Sequence, residues 1–368
     1  MHLILSIEAI APPLTGIGRY TWELATRLPS VPGVDLKFYH QGRWIADPAL
    51  FLDATPPHIR RTWLQRREPR WMRDIRLKME CRSAVFHGPN YFLPECADGG
   101  VATIHDLSIF RYPETHPIER IRQFEKLFHS TLQRAQHLIT DTEVIRQEVI
   151  AMFSWPADRI TAVHLGVADS FRPLSSEEAG HVLTQYGLSH GAYCLCVSTI
   201  EPRKKIDSLL GVYARLPIEM RRCYPLVLVG SVGWKSEEVH RQIEEACAEG
   251  WLKYYGFVPE HDLPVLYAGA RLFVYPSNYE GFGLPVLEAM ASGVPVVTSD
   301  SSSLPEVAGG AALLVNPDDV DSLAVCVQRG LTDEEWRAAA SSRGLAVAGR
   351  FTWSRCVEET VTVYSRLR

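Results

Sequence analysis

The chain has 368 residues, 46% of them hydrophobic and 22% charged, more than one compact domain usually holds and enough apolar material for two cores. A formal charge of −5 excludes a chain-wide nucleic-acid-binding surface, which needs a large positive field. No stretch reaches the roughly 18 consecutive apolar residues of a membrane-spanning helix, and the apolar start at Met1 lacks the pattern of a signal peptide, so a cytoplasmic protein is expected.

Apolar strand-like runs alternate with helical patterns along the chain: HLILSIE from His2, VDLKFYH from Val34, VATIH from Val101, HLITD from His137 and ITAVH from Ile160. That alternation predicts parallel βαβ units. A second series starts with YCLCVST at Tyr193 and continues through PLVLVG from Pro225, WLKYYGFV from Trp251, RLFVYP from Arg271 and VPVVTS from Val294. Between the two lies GVADSFRPLSSEEAG, whose proline and Ser-rich acidic stretch read as an interdomain connection near Arg172. The expected architecture is α/β, with doubly wound domains at 1–172 and 173–352 whose strand ends and loops share a cleft. The eight cysteines are scattered and read as reduced packing residues.

In chain order, TGIGRY places Gly16 and Gly18 at the entrance of an amphipathic helix, where backbone amides approach phosphate. A nicotinamide fingerprint is a poor fit, because the third small residue is missing near Thr21 and Asp35 begins the second strand rather than ending it. Residues 59–82 carry nine Arg or Lys against three Asp or Glu, interleaved with Trp63, Trp71 and Met72. This suits a helix on anionic headgroups, with nucleic acid as the rival partner and a solvated helix as the plain alternative. His105 ends a strand and Asp106 follows on the loop, so the pair either packs structurally or binds a sugar or phosphate.

EPRKK sets Arg203 and Lys204 directly after a buried strand, where two cations neutralise a diphosphate or form a solvated turn. EGFGLPVLE, residues 280–288, joins a strand to a helix. Gly281 and Gly283 permit close backbone approach, Pro285 suits the helix start, and free amides there face an anion. Glu280 lies on the loop. Glu288 lies near the start of the helix, with two oxygens for a ribose diol.

EGFGLPVLEAMASGVPVV, together with VSTIEPRKK, TGIGRYTWEL, YYGFVPEHDLPVLYAGA and the terminal FTWSRCVEETVTVY, resembles the retaining GT-B glycosyltransferases that carry an E-x7-E element. The resemblance covers nearly the whole chain. It implies two Rossmann-like domains facing a central cleft, a nucleotide-sugar donor held mainly by the second and an acceptor mainly by the first. It implies no cofactor and no required metal, and a last helix, near 353–366, that returns to the first domain. It places Arg203 and Lys204 at the diphosphate, Gly16 and Gly18 in a loop closing over it, and His105 and Glu280 at the transferred sugar. Glu288 falls at the ribose, Phe257 and Val258 at the base, Gly281, Phe282, Gly283 and Leu284 at the donor, and Asp106 toward the acceptor. Lys205 departs from the pattern, where Asn or Gly is commoner.

LVGSVGW, with Gly230, Trp234 and Lys235, resembles members that use GDP-sugars. The expected function is transfer of a hexose, mannose above all, from GDP-mannose or a relative such as GDP-rhamnose to a saccharide or lipid-linked acceptor in surface-polysaccharide synthesis. The basic 59–82 stretch would reach the inner membrane face. A GT-B nucleotide-sugar epimerase and a silent sugar-nucleotide-binding scaffold are the alternatives.

Overall fold

The computed structural model describes residues 1–52, 70–115 and 118–367. The chain forms two compact units: Met1–Leu107, Ile118–Leu165 and Trp353–Arg368 in the first, Ser108–Pro117 and Gly166–Thr352 in the second. The passage to the second unit thus falls ahead of Arg172, and residues 108–117 count with the second unit.

Among the described residues the first unit holds a seven-stranded sheet in the order β3-β2-β1-β4-β5-β6-β7. Its strands are β1 His2–Ser6, β2 Asp35–His40, β3 Arg43–Ile45, β4 Val85–Gly88, β5 Val101–Ile104, β6 His137–Thr140 and β7 Ile160–Ala162. All pairings are parallel except β2 with β3. The second unit holds a parallel six-stranded sheet in the order β10-β9-β8-β11-β12-β13. These strands are β8 Cys194–Val197, β9 Leu226–Val229, β10 Leu252–Tyr254, β11 Leu272–Tyr275, β12 Val296–Ser299 and β13 Leu313–Val315.

Every residue of β5, β6, β9, β11 and β12 is buried, because both faces of a parallel sheet are covered and its strands are mostly apolar, with the few buried polar side chains hydrogen-bonded, as at His137 and Thr298. Two strand orders reverse, between β1 and β4 in the first sheet and between β8 and β11 in the second. Loops leaving the strands at such a reversal diverge and open a crevice at the strand carboxyl ends.

The final helix, Trp353–Ser365, belongs to the first unit. A buried polar chain pins it there. The fully buried His87 ring meets Tyr364 Oη through Nδ1 at 2.6 Å and Thr103 Oγ1 through Nε2 at 2.8 Å, and Tyr20 Oη lies 3.0 Å from the same Thr103 hydroxyl.

Of the cysteines, Cys194 and Cys196 sit in the second core as expected. Cys223 and Cys247 are exposed, which corrects the assignment of all eight to packing. All eight are free thiols.

Candidate functional site

The loops after β8 and β11 leave neighbouring strands at the reversal of the second sheet. Topology therefore brings the EPRKK turn beside the loop that carries Glu280, although 76 residues separate Lys204 from it. Lys204 Nζ donates to Glu280 Oε1 at 2.5 Å and to Tyr275 Oη at 3.0 Å, and the tyrosine hydroxyl donates to the same carboxylate oxygen at 2.9 Å. Arg203 donates from Nη1 to Glu280 Oε2 at 3.4 Å and to the Tyr279 carbonyl, and from Nη2 to Glu201 Oε1 at 2.9 Å. The side chains of these four charged residues are at most 12% exposed.

Burial alone would push the Glu280 pKa up, but the charges of Lys204 and Arg203 outweigh it and hold it down to about 2. Burial and the neighbouring Arg203 push the Lys204 ammonium down, against the pull of Glu280 and Glu201. The cluster alternates acid, base, acid, base, so each buried charge has an opposite neighbour, as a desolvated ion requires.

Beyond Glu280 the chain enters the Leu284–Ala291 helix, with Pro285 in its first turn as expected. Its N-cap is Gly283 at φ +107°, and no side chain caps the first turn; Pro285 has no N–H and the Val286 amide donates to the Gly283 carbonyl at 3.0 Å, so the Leu284 amide is the one in this turn placed to meet an anion. A Cβ on Gly283 would also fall 2.6 Å from Leu304 Cδ2, so glycine is required here by the fold itself. Phe282 is buried edge-on to Phe351 at 5.8 Å. Glu288 is the fifth helical residue, past the first turn, so the macrodipole favours it less than its expected place near the start implied. Its half-buried carboxylate adds to the effect of burial in raising the Tyr267 pKa.

The neighbouring loops are equally constrained. A Cβ on Gly230, at φ +145°, would lie 1.9 Å from the Ser198 carbonyl oxygen. The backbones after β8 and β9 pack too closely for any other residue. Lys235 donates to the Glu114 carbonyl. After β10, Phe257 is 65% exposed and Val258 is buried.

In the first unit, Gly16 opens the Gly16–Arg27 helix and is exposed. The Gly18 amide donates to the N-cap Thr15 Oγ1 at 3.3 Å, and a Cβ there would lie 3.0 Å from the Ala9 carbonyl oxygen. Gly18 is thus a packing and capping residue, while Gly16 keeps the exposed place expected of a ligand contact.

His105 ends at the β5 edge as expected, but both ring nitrogens already have partners. Nδ1 lies 2.8 Å from Asp141 Oδ2, and Nε2 lies 2.7 Å from the Pro89 carbonyl oxygen. The carbonyl only accepts, so Nε2 carries a hydrogen. Burial opposes the charged ring, yet Asp141 outweighs it and raises the His105 pKa. Tyr20 and Tyr91 pack edge-on against the imidazole at 5.3 and 5.6 Å. The Asp106 amide donates to Tyr91 Oη at 3.1 Å.

The structure brings Arg203, Lys204 and Glu280 together, as their motifs predict, and adds Glu201 and Tyr275 to them and Asp141 to His105, none of which the motifs single out. Glu201 was in view inside EPRKK, and Asp141 ended the HLITD run in the position where His105 ended VATIH. Tyr275 closes an apolar run and reads as core. Residues 53–69 of the basic stretch lie outside the described residues. So do the side chains that would complete its apolar face.

The family model for Glycosyl transferases group 1 matches residues 188–346. O-antigen chain mannosyltransferase B of Escherichia coli is 42% identical over the whole of both chains. Serotype-specific mannosyltransferase WbdA, also of Escherichia coli, is 32% identical over 67% of this chain and 31% of its own. Among solved structures, Anabaena HepE in complex with UDP and glucose covers both chains completely with a TM-score of 0.74 at 18% identity, a likeness of fold that supports the GT-B class. Matched end to end by a relative at 42% identity, this chain belongs to the group 1 glycosyltransferases and is an enzyme of glycosyl transfer.

Proposed function

We propose that the enzyme moves a mannosyl residue from GDP-mannose, with retained configuration, to a saccharide or lipid-linked saccharide during surface-polysaccharide assembly. The observation that carries this is the buried Glu201–Arg203–Glu280–Lys204 cluster beside an uncapped helix start at the reversal of the second sheet. Two cations beside a helix N-terminus suit a diphosphate. The mannosyl assignment draws on the printed activity of the Escherichia coli relative.

In the proposed reaction the bond from the anomeric carbon to the diphosphate oxygen breaks, and a bond to the acceptor oxygen forms on the same face. The acceptor proton passes to the departing diphosphate. Arg203 and Lys204 stabilise charge growing on that leaving group. The Glu280 carboxylate binds sugar hydroxyls and offsets positive charge at the anomeric centre. Glu288 takes the ribose, the backbone at Phe257 and Val258 takes the base, and Gly281 to Leu284 line the phosphates.

His105 is assigned to the transferred sugar and Asp106 to the acceptor. The bond from His105 to Pro89 is the one a ligand has to replace. The proposed chemistry uses no metal.

Thermal-shift measurements with GDP-, UDP-, ADP- and TDP-sugars test the donor, since binding to the native state raises apparent stability. GDP-mannose is expected to stabilise most, and stabilisation by UDP-sugars alone would overturn the donor assignment. Nucleotide release that depends on added glycan separates the transferase from an epimerase, and any turnover dismisses a silent scaffold.

The Arg70–Arg82 helix favours a membrane-surface role. Met72, Ile75 and Met79 are 46%, 52% and 67% exposed, at helical spacings of three and four that place them on one stripe. Arg76, Lys78 and Arg82 lie on the same helix, and each basic residue near an anionic surface contributes on the order of 1 kcal/mol. Sedimentation with anionic vesicles, reversed by salt, is expected. Equal binding to neutral vesicles counts against it.

A further inference from the structure

We propose that Ser302, on the loop after β12, is a positioning residue for glycosyl transfer: its hydroxyl clasps the peptide of Glu280 from the neighbouring loop. The proposal rests on the assignment of Glu280 to the reaction centre. Ser302 Oγ accepts from the Glu280 amide at 2.8 Å and donates to the Glu280 carbonyl at 2.9 Å. A hydroxyl is the smallest side-chain group able to do both at once.

The clasp ends a series of similar bonds. Thr298 Oγ1 donates to the Tyr275 carbonyl at 2.8 Å, and Ser299 Oγ donates to the Ser277 carbonyl at 2.6 Å. Hydroxyls at 298, 299 and 302 therefore hold carbonyls at 275, 277 and 280 along the loop that presents the carboxylate. Only Ser302 also takes an amide of that loop. Leu304, just beyond, lies over Gly283, where a Cβ would fall 2.6 Å from its Cδ2.

The backbone adds an independent reason. Ser302 has φ +49°, a left-handed conformation that glycine adopts freely and serine does not. Glycine would relax the backbone at this position, so what serine supplies is its hydroxyl. Glu280 must keep Oε1 within reach of both Lys204 and Tyr275. A misplacement on the scale of an ångström at a reacting group costs on the order of a hundredfold in rate.

The test compares Ser302→Gly, Ser302→Ala, Glu280→Gln and the Ser302→Gly/Glu280→Gln double variant. It reads GDP release from GDP-mannose with a mannose-terminated oligosaccharide, together with thermal midpoints. Ser302→Gly is expected to hold or raise the midpoint while kcat falls about tenfold or more, and the donor KM is expected to move less than about threefold. Ser302→Ala is expected to lose as much kcat and also to lower the midpoint, because it keeps the strained φ.

The double variant is expected to be no slower than Glu280→Gln alone, as for two groups acting as one unit. Full turnover in Ser302→Gly, or additive losses in the double variant, overturns the role of Ser302. Full turnover in Glu280→Gln instead overturns the assignment of Glu280 on which the proposal rests.

Discussion

Replacing Glu280 by glutamine keeps the shape of the side chain and removes one charge from the centre of the buried cluster. In the fold Lys204 and Arg203 overcome the effect of burial and hold the Glu280 pKa down to about 2, against an ordinary 4.5. At about 1.4 kcal/mol for each tenfold change in proton affinity, that difference corresponds to roughly 3 kcal/mol at neutral pH. A carboxylate with a depressed folded pKa contributes this stability in full above its unfolded value, and the contribution is lost as pH falls through the folded value. Lys204 works in the opposite sense, since burial and Arg203 make its charged form costly in the fold and Glu280 offsets that cost.

Glutamine removes the offset and leaves the buried ammonium. The expected loss is therefore about 3 kcal/mol, in the range measured when one partner of a buried ion pair is deleted. Urea unfolding of the full chain, with the transition of the second unit resolved separately, measures it. The gap from wild type is expected to be constant near neutral pH and to narrow below about pH 4.5. The double variant Glu280→Gln/Lys204→Met leaves neither charge unpaired and is expected to be more stable than Glu280→Gln alone. A Glu280→Gln loss under about 1 kcal/mol at pH 7, or a double variant less stable than the single, would refute the charge balance described here.

Two further outcomes are expected. His87 is pushed down to about 3 by burial, with His105 nearby adding to the effect, while the unfolded chain takes up its proton near 6.5. Stability of the first unit should therefore fall as pH drops below 6.5, by about 1.4 kcal/mol per pH unit from this group. Urea midpoints from about pH 7.5 to 5.5 should show a shallower slope for His87→Gln, and an unchanged slope would exclude His87 as its source. Glu288→Ala is expected to raise the donor KM and spare kcat, the reverse of Glu280→Gln, and steady-state kinetics with matching profiles for the two would dissolve their division of labour.

Most of the strands were legible because a parallel strand covered on both faces is mostly apolar, which made the runs at Cys194, Leu226 and Leu272 plain. The strand Val85–Gly88 was not, being four residues with only Val85 and Phe86 apolar ahead of His87 and Gly88. The polarity of His87 is satisfied by Tyr364, which is 277 residues away and has no local signature. Arg43–Ile45 escaped as a three-residue antiparallel edge. The same divide runs through the site. Arg203, Lys204 and Glu280 stand in motifs whose residue types announce their chemistry, whereas Ser302 meets the Glu280 backbone through two hydrogen bonds across 22 residues. Nor does sequence reveal that Asp141 and the Pro89 carbonyl already take both nitrogens of His105.

The cluster also shows why two acids accompany two cations at a site assigned to a diphosphate. Arg203 and Lys204 are adjacent in sequence, and the presence of one lowers the proton affinity of the other. Left alone in a buried turn they would separate toward solvent or shed a proton. Glu201 and Glu280 cancel that repulsion and fix both cations before any ligand arrives. Little reorganisation is then left for the reaction step, which is the condition under which fixed charges stabilise a transition state most effectively. An empty pocket of bare cations would attract anions more strongly, but without the acids it would not hold its shape. At Lys204 and Glu280, 2.5 Å apart, long-range attraction has been exchanged for geometry.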